Sequence, residues 1–280
     1  MTQADNCKLS VLMIGCGNMG AAIAAGAVAQ MPDVDITAVD PNLDRARELL
    51  GPQSRVRVVA DLAQLGARSF DVGILAVKPQ HVTAALRSAE RHLAEALIIS
   101  IAAGIPIAAL RVAATSAARL VRVMPNLPAL AAAAMSVGYG EPETLASEDR
   151  RTVQRIFGAV GHFCWLANEA EIDIATGVTG SGPGYVFAFA QHLQRAGEAM
   201  GFTSDTAAQF ARQTIIGAAR LLETDPRSAE ELKNAVTSPG GTTAAGLAVL
   251  DAPDALPHLL IQTTAAAANR AAQLAKFQQQ

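Results

Sequence analysis

"KLSVLMIGCGNMGAAIAAGAVAQ", residues 8–30, runs from an apolar stretch through a glycine-rich turn into a helical one without a break. Residues 8–15 read as a buried strand, and "GCGNMG" (15–20) follows at once and opens a helix. G-x-G-x-x-G alone is a weak signal. It gains meaning from a strand before it, a helix after it and an acid about 20 residues further on. Asp40, at the end of a second β-branched run, "DITAVD" (35–40), is that acid. In this arrangement Gly15 makes the tight turn, Gly17 lets the backbone approach a pyrophosphate, and Gly20 lets helix and strand pack closely. The helix start at Asn18 and Met19 turns its N–H groups toward the phosphates. A carboxylate at Asp40 accepts from adenosine ribose hydroxyls and repels a 2′-phosphate, which favours NADH. Arg45 and Arg47 lie close enough in sequence to offset part of that repulsion, so NADPH is not excluded. Asp40 can equally be the cap of the following helix, and both roles can hold together.

Outward from this unit the same grammar repeats. "VRVVA" (56–60), "DVGILAV" (71–77), "ALIISIA" (96–102) and "RLVRVMP" (119–125) are strand-like, with helical stretches such as "NLDRARELL" and "HVTAALRSAERHL" between most of them. Near-continuous apolar strands separated by helices predict a doubly wound α/β domain around a parallel sheet. Ligands of such sheets sit at the C-terminal strand ends. Two ends stand out: "AVKPQ" (76–80), with Ala76, Val77, Lys78 and Pro79, and "VMPNLP" (123–128). Pro79 and Pro125 end their strands. Lys78 can reach ribose or phosphate oxygens, and Asn126 offers donors and an acceptor to a carboxamide.

From about residue 144 the pattern changes. "ASEDRRTVQRIFGAVG" predicts a helix with Ser147 as N-cap, "HFCWLA" (162–167) is one short strand-like run, and helices are predicted over 183–200, 204–224, 228–236, 243–251 and 256–277. Several are apolar nearly all round, and so few helices can hardly bury one another. A partner subunit is the economical explanation. The expected organisation is a Rossmann-type domain over 1–161 and an all-helical dimerisation and substrate-binding domain over 162–280.

Composition removes other classes. The formal net charge is −3, so no electrostatic case exists for nucleic acid or an anionic membrane. The uncharged runs 96–110 and 123–140 are respectively too short and too proline-broken to span a bilayer, and both read as buried strands followed by turns. "MTQADNCKLS" lacks the apolar core of a secretory signal. Cys7, Cys16 and Cys164 have no paired spacing, which fits a reduced, cytoplasmic protein. The five histidines (81, 92, 162, 192 and 258) show no metal-ligand spacing, and no metal is expected.

One segment remains: "VTSPGGTTAAGLAVLD" (236–251). Pro239, Gly240 and Gly241 leave an unencumbered backbone just ahead of a helix beginning near Thr243. Free N–H groups at that start suit a carboxylate, and Ser238 and Thr242 add hydroxyl donors. The plainer reading is a joining turn with Thr242 or Thr243 as N-cap.

"GCGNMG", "LAVKPQ", "SIAAGIP", "RVMPN", "GSGPGYVF" and "NAVTSPGGTTAAGLAVLD", in that order from about residue 8 to about 270, resemble the pyrroline-5-carboxylate reductase family. The resemblance implies NAD(P)H-dependent reduction of a small cyclic imine carrying a carboxylate. It implies interlocked homodimers built through the helical domain, often assembled into decamers, and a cofactor site that includes Ala102 and Gly104. It places the substrate carboxylate on the loop of Ser238, Gly240, Gly241 and Thr242, and gives Thr243 the catalytic role of hydrogen-bonding the ring nitrogen. It also places "TGSGPGY" (179–185), and with it Ser181, beside the same site; the plainer reading there is a tight turn with Pro183 in the first helical turn. The sequence departs from the family pattern at Gly184, where alanine is usual, and at "AAAAM" (131–135), where a Gly-Glu-Gly-like run is common. Asp40 too is unusual among NADPH-preferring members. A β-hydroxyacid dehydrogenase, which also joins these two domain types, would need a lysine in "YVFAFAQHLQRAGEAMGF", and there is none.

Overall fold

The computed structural model describes residues 8–52, 54–114 and 118–277, with the side chains of the last two left aside. Cys7, one of the three cysteines read as reduced, lies outside the described residues. The strands are β1 (Leu9–Ile14), β2 (Val34–Val39), β3 (Arg57–Val59), β4 (Val72–Leu75), β5 (Leu97–Ser100), β6 (Arg119–Met124), β7 (Ala134–Tyr139) and β8 (Gly161–Trp165). They form one sheet in the order β3-β2-β1-β4-β5-β6-β7-β8. β1 to β6 are parallel, the order of a dinucleotide-binding domain with its switch point between β1 and β4.

Side chains alternate between the faces, as the period of two requires. Val11, Met13, Ile36, Ile74 and Ile99 pack beneath α1 (Asn18–Gln30) and α5 (Ser147–Gly158). Leu12, Ile14, Leu75, Ile98 and Leu120 pack beneath α3 (Val82–Leu93) and α4 (Ile107–Ala113). α2 (Leu43–Leu50) follows β2. Ser147 is the first helical residue of α5, not its N-cap: Ala146 is the N-cap, and its N–H donates to Asp149 Oδ2 at 2.9 Å.

The run 123–140 holds a turn and a second strand. Pro125 and Pro128 end β6 and start a short 3-10 turn, Leu127–Ala131. Ala132, at φ 53°, then reverses the chain so that β7 runs antiparallel to β6. β8 pairs in parallel with β7, so the 161/162 boundary cuts into a sheet strand. The chain divides instead into Met1–Gly180 with Ala267–Gln280, and Ser181–Ala266. α6 (Ala170–Ala175) stays with the sheet for an electrostatic reason. Arg122 on β6, only 5% exposed, pairs with Asp173 at 2.8 Å and Glu169 at 3.4 Å, and Glu169 accepts from the Ile107 N–H. Removing one partner of such a buried set costs about 3–5 kcal/mol.

The second unit holds α7 (Gly182–Ala199), α8 (Ser204–Thr224), α9 (Ala229–Ala235), α10 (Thr242–Leu250) and the first half of α11 (Leu256–Phe277). α7 packs on α8, with Gly197 close against Ala207. Yet α7, α9 and α10 bury no residue, and α8 buries only Ala207 and Ala211. Phe187, Phe189, Leu222, Val249 and Ile261 all face outward. Each would gain about 1.5–3 kcal/mol on full burial. No described helix is long and apolar enough to cross a membrane, and no described group of three or more acidic, His or Cys residues could hold a metal.

Candidate dinucleotide site and candidate substrate loop

At the end of β1 the chain turns at Gly15, with φ +93°. A Cβ there would lie 2.6 Å from the Ala76 carbonyl oxygen, and a Cβ on Gly20 would lie 2.4 Å from that of Gly15. Neither position admits a side chain. Gly17 is different: its φ is −73° and nothing lies within 4 Å of where its Cβ would be. No neighbour in the chain accounts for that glycine. It leaves open space above the N-terminus of α1, whose N-cap it is, and no side chain caps the helix. Asn18 and Met19 form the first turn there. A phosphate group fits such a cradle of free N–H groups at the positive end of a helix dipole.

Asp40 turns into this loop. Its Oδ2 accepts from the Cys16 N–H at 2.8 Å and its Oδ1 from the Asn42 N–H at 2.9 Å. Asp40 is therefore not the helix cap. Asn42 is, its side chain accepting from the Arg45 N–H at 3.0 Å. Arg45 extends between Asn18 Oδ1, at 3.4 Å, and Glu48, at 3.2 Å. Arg47 has no side-chain partner among the described residues. Burial, and next to it the Asp40 charge, push the Cys16 thiol up to about 11.

The neighbouring strand ends lie alongside. The Ala76 N–H donates to Ile14 O at 2.8 Å and the Ile101 N–H to Leu75 O at 3.1 Å. Ala76 and Val77 line the glycine loop, the first against Gly20 and the second against Gly15. Lys78 is exposed and without a side-chain partner among the described residues, at the start of the turn Pro79–His81. Ala102 and Gly104 are buried, and Gly104, at φ +74°, lies against the backbone of Leu274 and Ala275 in α11. What Ala102 can offer a ligand is thus backbone. Asn126 is less free than its sequence position suggests. Its Nδ2 donates to Thr179 O at 2.9 Å and its Oδ1 accepts from the Met135 N–H at 3.0 Å. Both ends of the amide tie β6 to β7 and to a single turn of π-helix, Thr176–Gly180.

In the helical unit, Ser238–Gly241 is a β-turn of type II. The Gly241 N–H donates to Ser238 O at 3.0 Å, Pro239 stands second, and Gly240 stands third with φ +69°. A Cβ on Gly241 would lie 2.4 Å from Ser238 Oγ. The turn therefore accounts for Pro239 and Gly240, and less strictly for Gly241, whose closest neighbour is a hydroxyl that can rotate away. It does not account for the bare helix start beyond it. Gly241, not a threonine, is the N-cap of α10, no side chain caps the helix, and the Thr242 and Thr243 side chains are exposed without a partner among the described residues. α7 also starts uncapped, at Ser181, with Pro183 in its first turn and open space about Gly182 and Gly184.

Two family models match: one described as pyrroline-5-carboxylate reductase dimerisation, over residues 169–274, and one as NADP oxidoreductase, coenzyme F420-dependent, over 10–104. The chain is 37% identical over 268 residues to the pyrroline-5-carboxylate reductase of Pseudomonas aeruginosa, covering 95% of this chain and 97% of that one. It is also 37% identical to that of Arabidopsis thaliana, covering 96% of each. A solved structure of the reductase from Coxiella burnetii matches with a TM-score of 0.86 at 33% identity, covering 94% of this chain and 97% of that one. One from Plasmodium falciparum, with NADP bound, matches with a TM-score of 0.78 at 26% identity, covering 96% and 99%. The unburied helices of the second unit fall within the matched dimerisation region. This chain, by its sequence and its fold, belongs to the pyrroline-5-carboxylate reductase family.

Proposed function

We propose that the chain is an NAD(P)H-dependent oxidoreductase acting on a C=N bond, which reduces 1-pyrroline-5-carboxylate to L-proline in the last step of proline synthesis. The observation that carries this is the likeness over 95% of the chain to a reductase of that name. The exposed, uncapped start of α10 supports it independently. Ser238, Gly240, Gly241 and Thr242 form the loop that receives the substrate carboxylate; the Gly241 N–H is spent on the turn, and the N–H groups of the first turn of α10 and the hydroxyls are the donors. Thr243 directs its hydroxyl to the ring nitrogen. A threonine hydroxyl is a weak acid, so Thr243 orients an already protonated iminium or relays a proton to the nitrogen. When bound, a reduced nicotinamide supplies the hydride to the imine carbon.

Gly15, Gly17, Asn18, Met19 and Gly20 hold the pyrophosphate. Ala76, Val77, Lys78, Pro79, Ala102 and Gly104 line the rest of the cofactor site, with Asn126 supporting its wall. Asp40 keeps lone pairs for ribose hydroxyls beyond the two backbone donors and opposes a 2′-phosphate, which favours NADH. The protein works as a homodimer through its helical unit, with decamers as the higher assembly, in the cytoplasm. The second reading is a relative reducing another carboxylated cyclic imine. It keeps the loop at 238–243 and differs around the ring.

Absorbance of the reduced nicotinamide, followed with pyrroline-5-carboxylate and each cofactor in turn, tests the proposal. Oxidation with stoichiometric proline supports it. Binding of either cofactor without turnover would leave the fold and remove the substrate.

A further inference from the structure

The loop assigned to the substrate carboxylate is closed at its base by an ion pair that the reaction itself does not use. Lys233, in the last turn of α9, places Nζ 2.9 Å from Asp251 Oδ2, and Asp251 is the C-cap of α10. α10 is nine residues long, about 13 Å. The pair thus joins the helix before the loop to the far end of the helix after it, and fixes the direction in which α10 leaves the Ser238–Gly241 turn. Lys233 holds the near side as well: its carbonyl accepts from Thr237 Oγ1 at 2.6 Å and from the Val236 N–H at 3.3 Å.

The charges argue that the contact is more than incidental. A carboxylate at a helix C-terminus opposes the helix dipole, and Asp251 stands at that end of α10. Lys233 offsets this, and the Asp251 contact in turn raises its basicity. Both side chains are a little under half exposed, so the pair adds little to global stability. Its effect is on the aim of the first turn of α10.

We infer that Lys233 and Asp251 are positioning residues, which set the angle at which the start of α10 presents Thr242, Thr243 and their N–H groups to a carboxylated substrate. The inference rests on the proposed function of that loop. Lys233→Met and Asp251→Asn are each expected to raise KM for the imine about fivefold, about 1 kcal/mol. kcat changes less than twofold and KM for the nicotinamide cofactor stays constant. The double variant is no worse than either single one, because both break the same contact. The charge-swapped variant, Lys233→Asp with Asp251→Lys, recovers most of the loss. Tm, measured alongside, moves by no more than a few degrees. An unchanged imine KM in both single variants, or additive losses in the double one, would overturn the inference while leaving the reaction intact. A parent protein that does not reduce the imine at all overturns the reading beneath it, and this inference with it.

Discussion

Asp40 bonds the backbone N–H of Cys16 at 2.8 Å, so the acid at the end of β2 holds the glycine loop in shape. Its second oxygen takes the Asn42 N–H at 2.9 Å. The loop geometry therefore rests on the same carboxylate to which the selection between cofactors is assigned under the proposed function. Asp40→Ser is expected to raise KM for NADH and NADPH alike, through the loosened loop. It also narrows the gap between them, because the charge that opposes a 2′-phosphate is gone. Steady-state kinetics with both cofactors separates the two effects. A parent enzyme strongly favouring NADPH would contradict the role given to Asp40.

Gly17 and Gly20 are expected to fail in different ways. Gly17→Ala meets no atom of the chain, so the fold stays intact and cofactor affinity falls at least tenfold. Gly20→Ala pushes a Cβ to 2.4 Å from the Gly15 carbonyl oxygen, so it lowers Tm as well. Calorimetry beside cofactor titration distinguishes them. Equal affinity in Gly17→Ala and the parent would remove the phosphate cradle from the account.

Ala132 is the one non-glycine described residue with positive φ. A left-handed alanine costs about 1–2 kcal/mol, and glycine there returns part of that as greater chain entropy when unfolded. Ala132→Gly is expected to stabilise the protein by about 0.5–1 kcal/mol in urea unfolding. A loss of stability would show that the loop between β6 and β7 is not under this strain.

The Cys16 thiol keeps its proton to about pH 11 in the folded chain, while an unfolded chain releases it near 9.0. Between those values the folded state binds more protons, so its stability falls as pH rises. Relative to Cys16→Ala, the parent is expected to lose on the order of 3 kcal/mol across that window and nothing below it. A stability difference constant with pH would contradict this.

The parallel strands and the glycine loop were legible because their pattern is local: apolar runs, two proline stops and a glycine turn. The five late helices were legible for the same reason, with ends within about one residue of those observed. β7 was hidden because Ala134, Ser136 and Gly138 give it little β-branched character, and its direction is set by a left-handed alanine that no pattern announces. β8 falls on the wrong side of a boundary drawn at 161, since only pairing with β7 shows where a five-residue edge strand belongs. At the candidate site, residue types marked the loops to look at, and their partners could not be read from them. That Asn126 spends its amide on Thr179 and Met135 is a contact across 53 and 9 residues, respectively. The Ser238–Gly241 turn was the reverse case, where the sequence named the geometry and made a ligand unnecessary to explain it.

The most direct test of the central claim is single-turnover reduction of pyrroline-5-carboxylate by the parent and by Thr243→Ala, with cofactor affinity measured on the same samples. In Thr243→Ala the rate is expected to fall about 100-fold or more while affinity for the reduced nicotinamide stays unchanged. Undiminished turnover in Thr243→Ala would remove the start of α10 from the chemistry.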